Sequence, residues 1–129
     1  MEINKGKVFY NKLIRDGVPN KIIRNGGEYE IRKIHDASEF QQELFKKVSE
    51  EAKGLAYSRT RDEFLQEYAD LMVVLDSLTK EMELSEADIK TAIEENMEKK
   101  GGFNDRVFLH WSTDDTHKSN ETPQGIKKD

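Results

Sequence analysis

Cysteine is missing from this chain, proline occurs twice and tryptophan once. Without thiols there are no disulfides, no cysteine nucleophile and no Cys-ligated zinc. No apolar run approaches the roughly 20 residues that a membrane-spanning helix needs, and no leader-like apolar stretch is evident. A soluble protein of a reducing, cytoplasmic compartment is expected. A basic excess is missing too, since 21 Lys and Arg stand against 26 Asp and Glu, for a net charge of −5. Nucleic-acid polymers and anionic membranes are usually met by cationic surfaces, so neither is an expected partner and any basic site must be local. Apolar residues are scarce, at 35% against 36% charged. A chain of 129 residues with that balance can bury a modest core as one domain, and a partner subunit would help.

What is present is helical periodicity. Pro19 followed by a short periodic run and Gly26-Gly27 predicts a helix over 19–24 closed by a left-handed glycine. Residues 28–34, EYEIRKI, predict a short strand or extended stretch. Ser38 with Gln41 has the spacing of a capping box ahead of a helix over 39–56, with Phe40, Leu44, Val48 and Leu55 on one stripe. Thr60 with Glu63 opens a second long helix over 61–82, and Ser85 can cap a third over 86–100 that ends at Gly101. The short link between the two long helices predicts an antiparallel hairpin. From 112 to 129 the chain turns polar and aperiodic, as in a mobile tail, leaving 1–111 as the folded domain. The fold class is therefore mainly α, with a short N-terminal extended segment.

Acids interrupt the inward stripes. In the first long helix Glu51 continues Phe40, Leu44 and Val48; in the second, Glu67 sits among Phe64, Leu71, Val74 and Leu78. A hairpin centred near residue 59 places 51 and 67 at the same level, each eight residues from the turn. Asp70 follows Glu67 by about 4.5 Å of helix rise. Three carboxylates then converge, and burying them together raises their pKa values or demands a cation. Lys46, Lys47 and Lys53 are expected to point away from the stripe, although an ion-pair network remains the plainer alternative. An all-oxygen set without His or Cys suits Mg²⁺, or Mn²⁺, better than zinc, and Mg²⁺ held by few protein groups usually bridges to substrate phosphates. His35, His110 and His117 lack metal-ligand spacing, and Trp111 is expected to cover an edge of the core or an interface.

At these residues the chain resembles the all-α NTP pyrophosphatases, the MazG-like superfamily, whose signature is EExxE followed by ExxD. Glu50-Glu51 matches the start of the first half and Glu67-x-x-Asp70 the second. The phosphoribosyl-ATP pyrophosphohydrolase-like subgroup is the nearest in appearance. YNKLIRDGVP at 10–19 resembles its KLVRDKIP block, and KKGGFNDRVFL at 99–109 its KRGGFEKRI block. The resemblance implies a helical dimer or tetramer that binds Mg²⁺ and hydrolyses a nucleoside triphosphate to monophosphate and pyrophosphate, in a possible house-cleaning role. It makes Glu51, Glu67 and Asp70 metal ligands, with Glu50 an auxiliary ligand or a base that orients water. The chain departs from the signature at Gly54, where the family has a third glutamate. Glu50 or Glu63 could fill in, metal could bind only with substrate, or catalysis could have decayed.

A triphosphate also needs cations. Lys12, Arg15, Lys99, Lys100 and Arg106 are the phosphate-binding candidates, with local ion pairing as the alternative for the first two. Phe103 could stack on a base or pack as the hydrophobic partner of the helix cap. Leu65, Tyr68, Met72 and Leu75 form a second apolar stripe that one hairpin cannot cover, so a homodimer completing a four-helix bundle is expected. Hydrolysis of phosphoribosyl-ATP is a rival within the enzyme class. A nucleotide-binding or helical interaction module without turnover is the rival outside it.

Overall fold

The computed structural model describes residues 6–114, and the part of the polar tail from 115 to 129 lies outside the described residues. Among the described residues four helices follow one another: α1 (Val18–Arg24), α2 (Ala37–Ala56), α3 (Arg61–Glu81) and α4 (Glu86–Lys100). Among the described residues there is no strand, and 28–34 carries no regular structure. The chain divides into two compact units between Ile89 and Lys90, inside α4.

In the first unit, α1 begins on Pro19 in its first turn, and a Schellman closure ends it. Gly26 adopts φ 78°, its N–H donates to the Ile23 carbonyl, and the Gly27 N–H donates to that of Ile22, both at 2.9 Å. A side chain at 26 would be strained in that left-handed conformation, which is why glycine stands there.

The N-cap of α2 is Asp36, whose carboxylate accepts from the Glu39 amide at 3.2 Å, rather than Ser38. Asp36 and Glu39 have the same cap spacing two residues earlier, and a charged cap gains more from the helix dipole than a hydroxyl. Arg32 reinforces this end with a two-pronged pair to Glu39 at 2.6 and 3.1 Å. Thr60 caps α3 as expected, accepting from the Glu63 amide at 3.1 Å while the Glu63 carboxylate accepts from the Arg59 amide at 2.6 Å.

Residues 57–60 turn the chain so that α2 and α3 pack on each other. Their shared core is small: Leu44, Val74 and Leu78 are buried, with Leu13, Phe40 and Val48 against them. Phe64, placed on the inward stripe by its spacing, is instead 46% exposed and stacks on Tyr68 at 6.0 Å. Leu65, Tyr68, Met72 and Leu75 are also exposed.

In the second unit the rest of α4 runs to Lys100 and stops at Gly101, with φ 71°. The start of α4, in the first unit, is held by a reciprocal Ser85 and Asp88 cap at 2.8 and 3.1 Å.

Candidate functional site

The hairpin brings Glu51, Glu67 and Asp70 together: one carboxylate oxygen from each lies within 4.8 Å of the other two, and all three side chains are half-buried. The register explains this, because Glu51 on α2 and Glu67 on α3 are equidistant from the turn and Asp70 is the next turn of α3. Oxygens sharing one octahedral Mg²⁺ at about 2.1 Å lie about 3 to 4.2 Å apart. The three therefore fit a hard divalent ion after a side-chain adjustment of about an ångström or less.

Cations surround the cluster more closely than the sequence suggests. Lys47 does not point away: it is the one buried charged residue among those described, with Nζ 3.1 Å from Glu50 Oε2 and 3.4 Å from Glu51 Oε1. Position 47 lies three residues after Leu44 and four before Glu51, which puts it on the buried face as surely as Val48. Its alkyl stem covers apolar surface while the ammonium reaches the acids. Lys46 pairs outward with Glu43 at 2.6 Å, and Lys53 is exposed.

The N-terminal segment supplies the other partners. Leu13 is packed against the core and anchors this stretch, so that Lys12 and Arg15 reach opposite ends of the acid group. Lys12 Nζ donates to Glu50 Oε1 at 2.6 Å, and Arg15 Nη1 donates to Asp70 Oδ1 at 3.3 Å. Lys12 and Arg15 are thus ion-paired to the candidate site itself.

Glu67 is different. It has no cation within ion-pair distance among the described residues, and its carboxyl is raised above the usual range by desolvation first, then by the charges of Glu51 and Asp70. Glu50 moves the other way, lowered chiefly by the hydrogen bond from Lys12, which is itself raised by Glu50. Four carboxylates meet three cations, and the uncompensated charge falls on Glu67.

Gly54 has a structural consequence beyond a missing acid. A Cβ built there would stand 2.8 Å from Glu67 Cδ, so the Glu67 carboxylate occupies the space the glycine leaves. Glu63, the other acid considered as a replacement, is committed to the α3 cap.

Beside the acids lies an open cleft of about 690 Å³, lined by Arg15, Asp16, Lys21 and Arg24 and by Glu51, Gln66 and Asp70. Lys21 and Arg24 escaped the sequence reading. The only local signal was their three-residue spacing on α1.

The remaining candidates belong to the second unit. Lys99 and Lys100 are exposed in the last turn of α4. Arg106 adopts φ 56°, and its amide donates to the Phe103 carbonyl at 3.1 Å. Phe103 is 96% exposed and so does not pack as a cap partner, and Trp111, expected to cover an edge, is 79% exposed. Comparison with protein-family models, with curated proteins and with solved structures returns no match. Among the described residues no helix is long and apolar enough to cross a membrane.

Proposed function

We propose that this chain is a Mg²⁺-dependent hydrolase of nucleoside triphosphates, releasing a nucleoside monophosphate and pyrophosphate, in keeping with its resemblance to the all-α NTP pyrophosphatases. The observation that carries the proposal is Glu67: a half-buried carboxylate between two others, without a cation of its own, beside a cleft that basic groups also line. Such a charge surplus favours a hard cation, with Mn²⁺ as a substitute.

Glu51, Glu67 and Asp70 would hold the ion, which when bound would offset charge on the phosphate oxygens and make water a better nucleophile. Water attacks the α-phosphorus, the bond from that atom to the α,β-bridging oxygen breaks, pyrophosphate departs with that oxygen, and the water proton passes to solvent. Glu50, lowered by Lys12 before substrate enters and still held by Lys47 once Lys12 turns to phosphate, is a weak base and a good acceptor, suited to orienting water rather than to holding its proton. Arg15 and Lys12 exchange their carboxylate partners for phosphate oxygens as substrate enters. Every residue in this assignment belongs to the first unit. The active form is a homodimer in which the exposed stripe Leu65, Tyr68, Met72 and Leu75 meets its copy.

One observation favours binding without turnover: Lys12, Arg15 and Lys47 already neutralise most of the acid charge, and Gly54 supplies none. Pyrophosphate release from a panel of nucleoside triphosphates with Mg²⁺, phosphoribosyl-ATP included, separates the alternatives. Release is expected; nucleotide-induced thermal stabilisation with no release would favour the binding module.

A further inference from the structure

Three cations line the α1 side of the cleft, and they are not equivalent. Arg15 is paired with Asp70, whereas Lys21 and Arg24 have no acid within ion-pair distance among the described residues. Both stand in the last turn of α1, where a positive side chain complements the helix dipole. That role would be met at any angle around the axis. Instead both residues line the open cleft that Asp16, Glu51 and Asp70 also line, and none of these acids is within ion-pair distance of either.

Their spacing matters as well. Three residues of helix separate them by about 4.5 Å along the axis on one face, a ladder of positive charge longer than one phosphate. Pro19 at the start of α1 and the Gly26 closure at its end define the short helix from which both side chains extend.

We infer that Lys21 and Arg24 bind the distal phosphates of a polyphosphate chain whose reacting end lies at Glu51, Glu67 and Asp70, so that this cleft selects tri- and diphosphate groups over monophosphates. The inference rests on the proposed metal-dependent reading for the position of the reacting end, but not for the anion binding itself. Guanidinium and ammonium groups without carboxylate partners bind phosphate oxygens at no cost of breaking an existing pair. Free phosphate can meet only one rung, and the product nucleotide, which keeps only the phosphate at the reacting end, meets neither and is released more readily than the substrate.

The test titrates inorganic pyrophosphate and inorganic phosphate into the full chain by calorimetry at saturating Mn²⁺. The wild type is expected to prefer pyrophosphate. The double variant Lys21→Gln, Arg24→Gln should lose that preference, with pyrophosphate affinity down by roughly tenfold or more, while its Mn²⁺ titration and helical content stay as in the wild type. Arg24→Lys should keep most of the preference. Lys21→Gln alone, expected to lose part of it, serves if the double variant unfolds. Unchanged pyrophosphate affinity in a folded variant, or a wild type that does not distinguish the two anions, overturns the inference. Pyrophosphate binding that depends on Lys21 and Arg24 in a chain that takes up no Mn²⁺ would leave the anion site standing and remove the metal-dependent reading alone.

Discussion

At the scale of single residues, Glu67 concentrates the strain of the site. Its raised carboxyl means that the folded, metal-free protein holds this proton to higher pH than an unfolded chain does. The contribution to stability is thus greatest below the ordinary carboxylate range and is lost as pH rises through the raised value. Glu67→Gln should accordingly raise the thermal midpoint of the metal-free protein at neutral pH, and the gain should vanish in acid; equal midpoints at both pH values would contradict this. A divalent ion must displace the same proton, so Mn²⁺ affinity should climb with pH through that titration and then level, as followed by calorimetry.

The pair formed by Lys12 and Glu50 has the opposite dependence. With Glu50 lowered and Lys12 raised, it contributes across neutral pH and is lost in acid as pH falls through the Glu50 value. Gly54→Glu should tighten Mg²⁺ binding, because the flexible end of Glu67 can swing from the space above position 54 while a fourth acid arrives. An unchanged Mg²⁺ titration would show that position 54 is no ligand position. The meeting of Glu51 with Glu67 was legible from counting to the turn. The inward Lys47 was not read from the sequence, although its i+3 and i+4 spacing to Leu44 and Glu51 placed it on the buried face, because a charged side chain there reads as solvent-facing until its stem is seen to cover apolar surface.

At the scale of elements, the hairpin depends on a three-residue core and on its caps. Leu78→Ala should cost about 2–5 kcal/mol by chemical denaturation, at the larger end if the cavity cannot close. Thr60→Ala should cost about 1 kcal/mol by removing the acceptor for the Glu63 amide. Losses near zero would mean that the packing of α2 on α3 is not what holds the unit. Helix positions were legible because period and caps are local. The α2 start was displaced because Asp36 and Ser38 offer competing caps, and the inward stripe of α3 does not extend to Phe64, which lies exposed at the turn end of the hairpin. Nothing in the short run from Val18 to Arg24 says that it will line a cleft with Asp70, so Lys21 and Arg24 emerged only from tertiary structure.

At the scale of the whole molecule, a chain of net charge −5 buries few apolar side chains and leaves a stripe of α3 in solvent. Pairing two such stripes offsets the deficit, and light scattering at micromolar concentration should report a dimer; a monomer would contradict that arrangement. On the proposed reading, the basic residues that line the same cleft as Glu51 and Asp70 would let an anionic protein receive an anionic substrate. The most direct measurement is pyrophosphate release from nucleoside triphosphates with Mg²⁺, by the wild-type chain and by Glu67→Gln in parallel. Release by the first and none by the second is the predicted result, and undiminished release by Glu67→Gln would contradict the account.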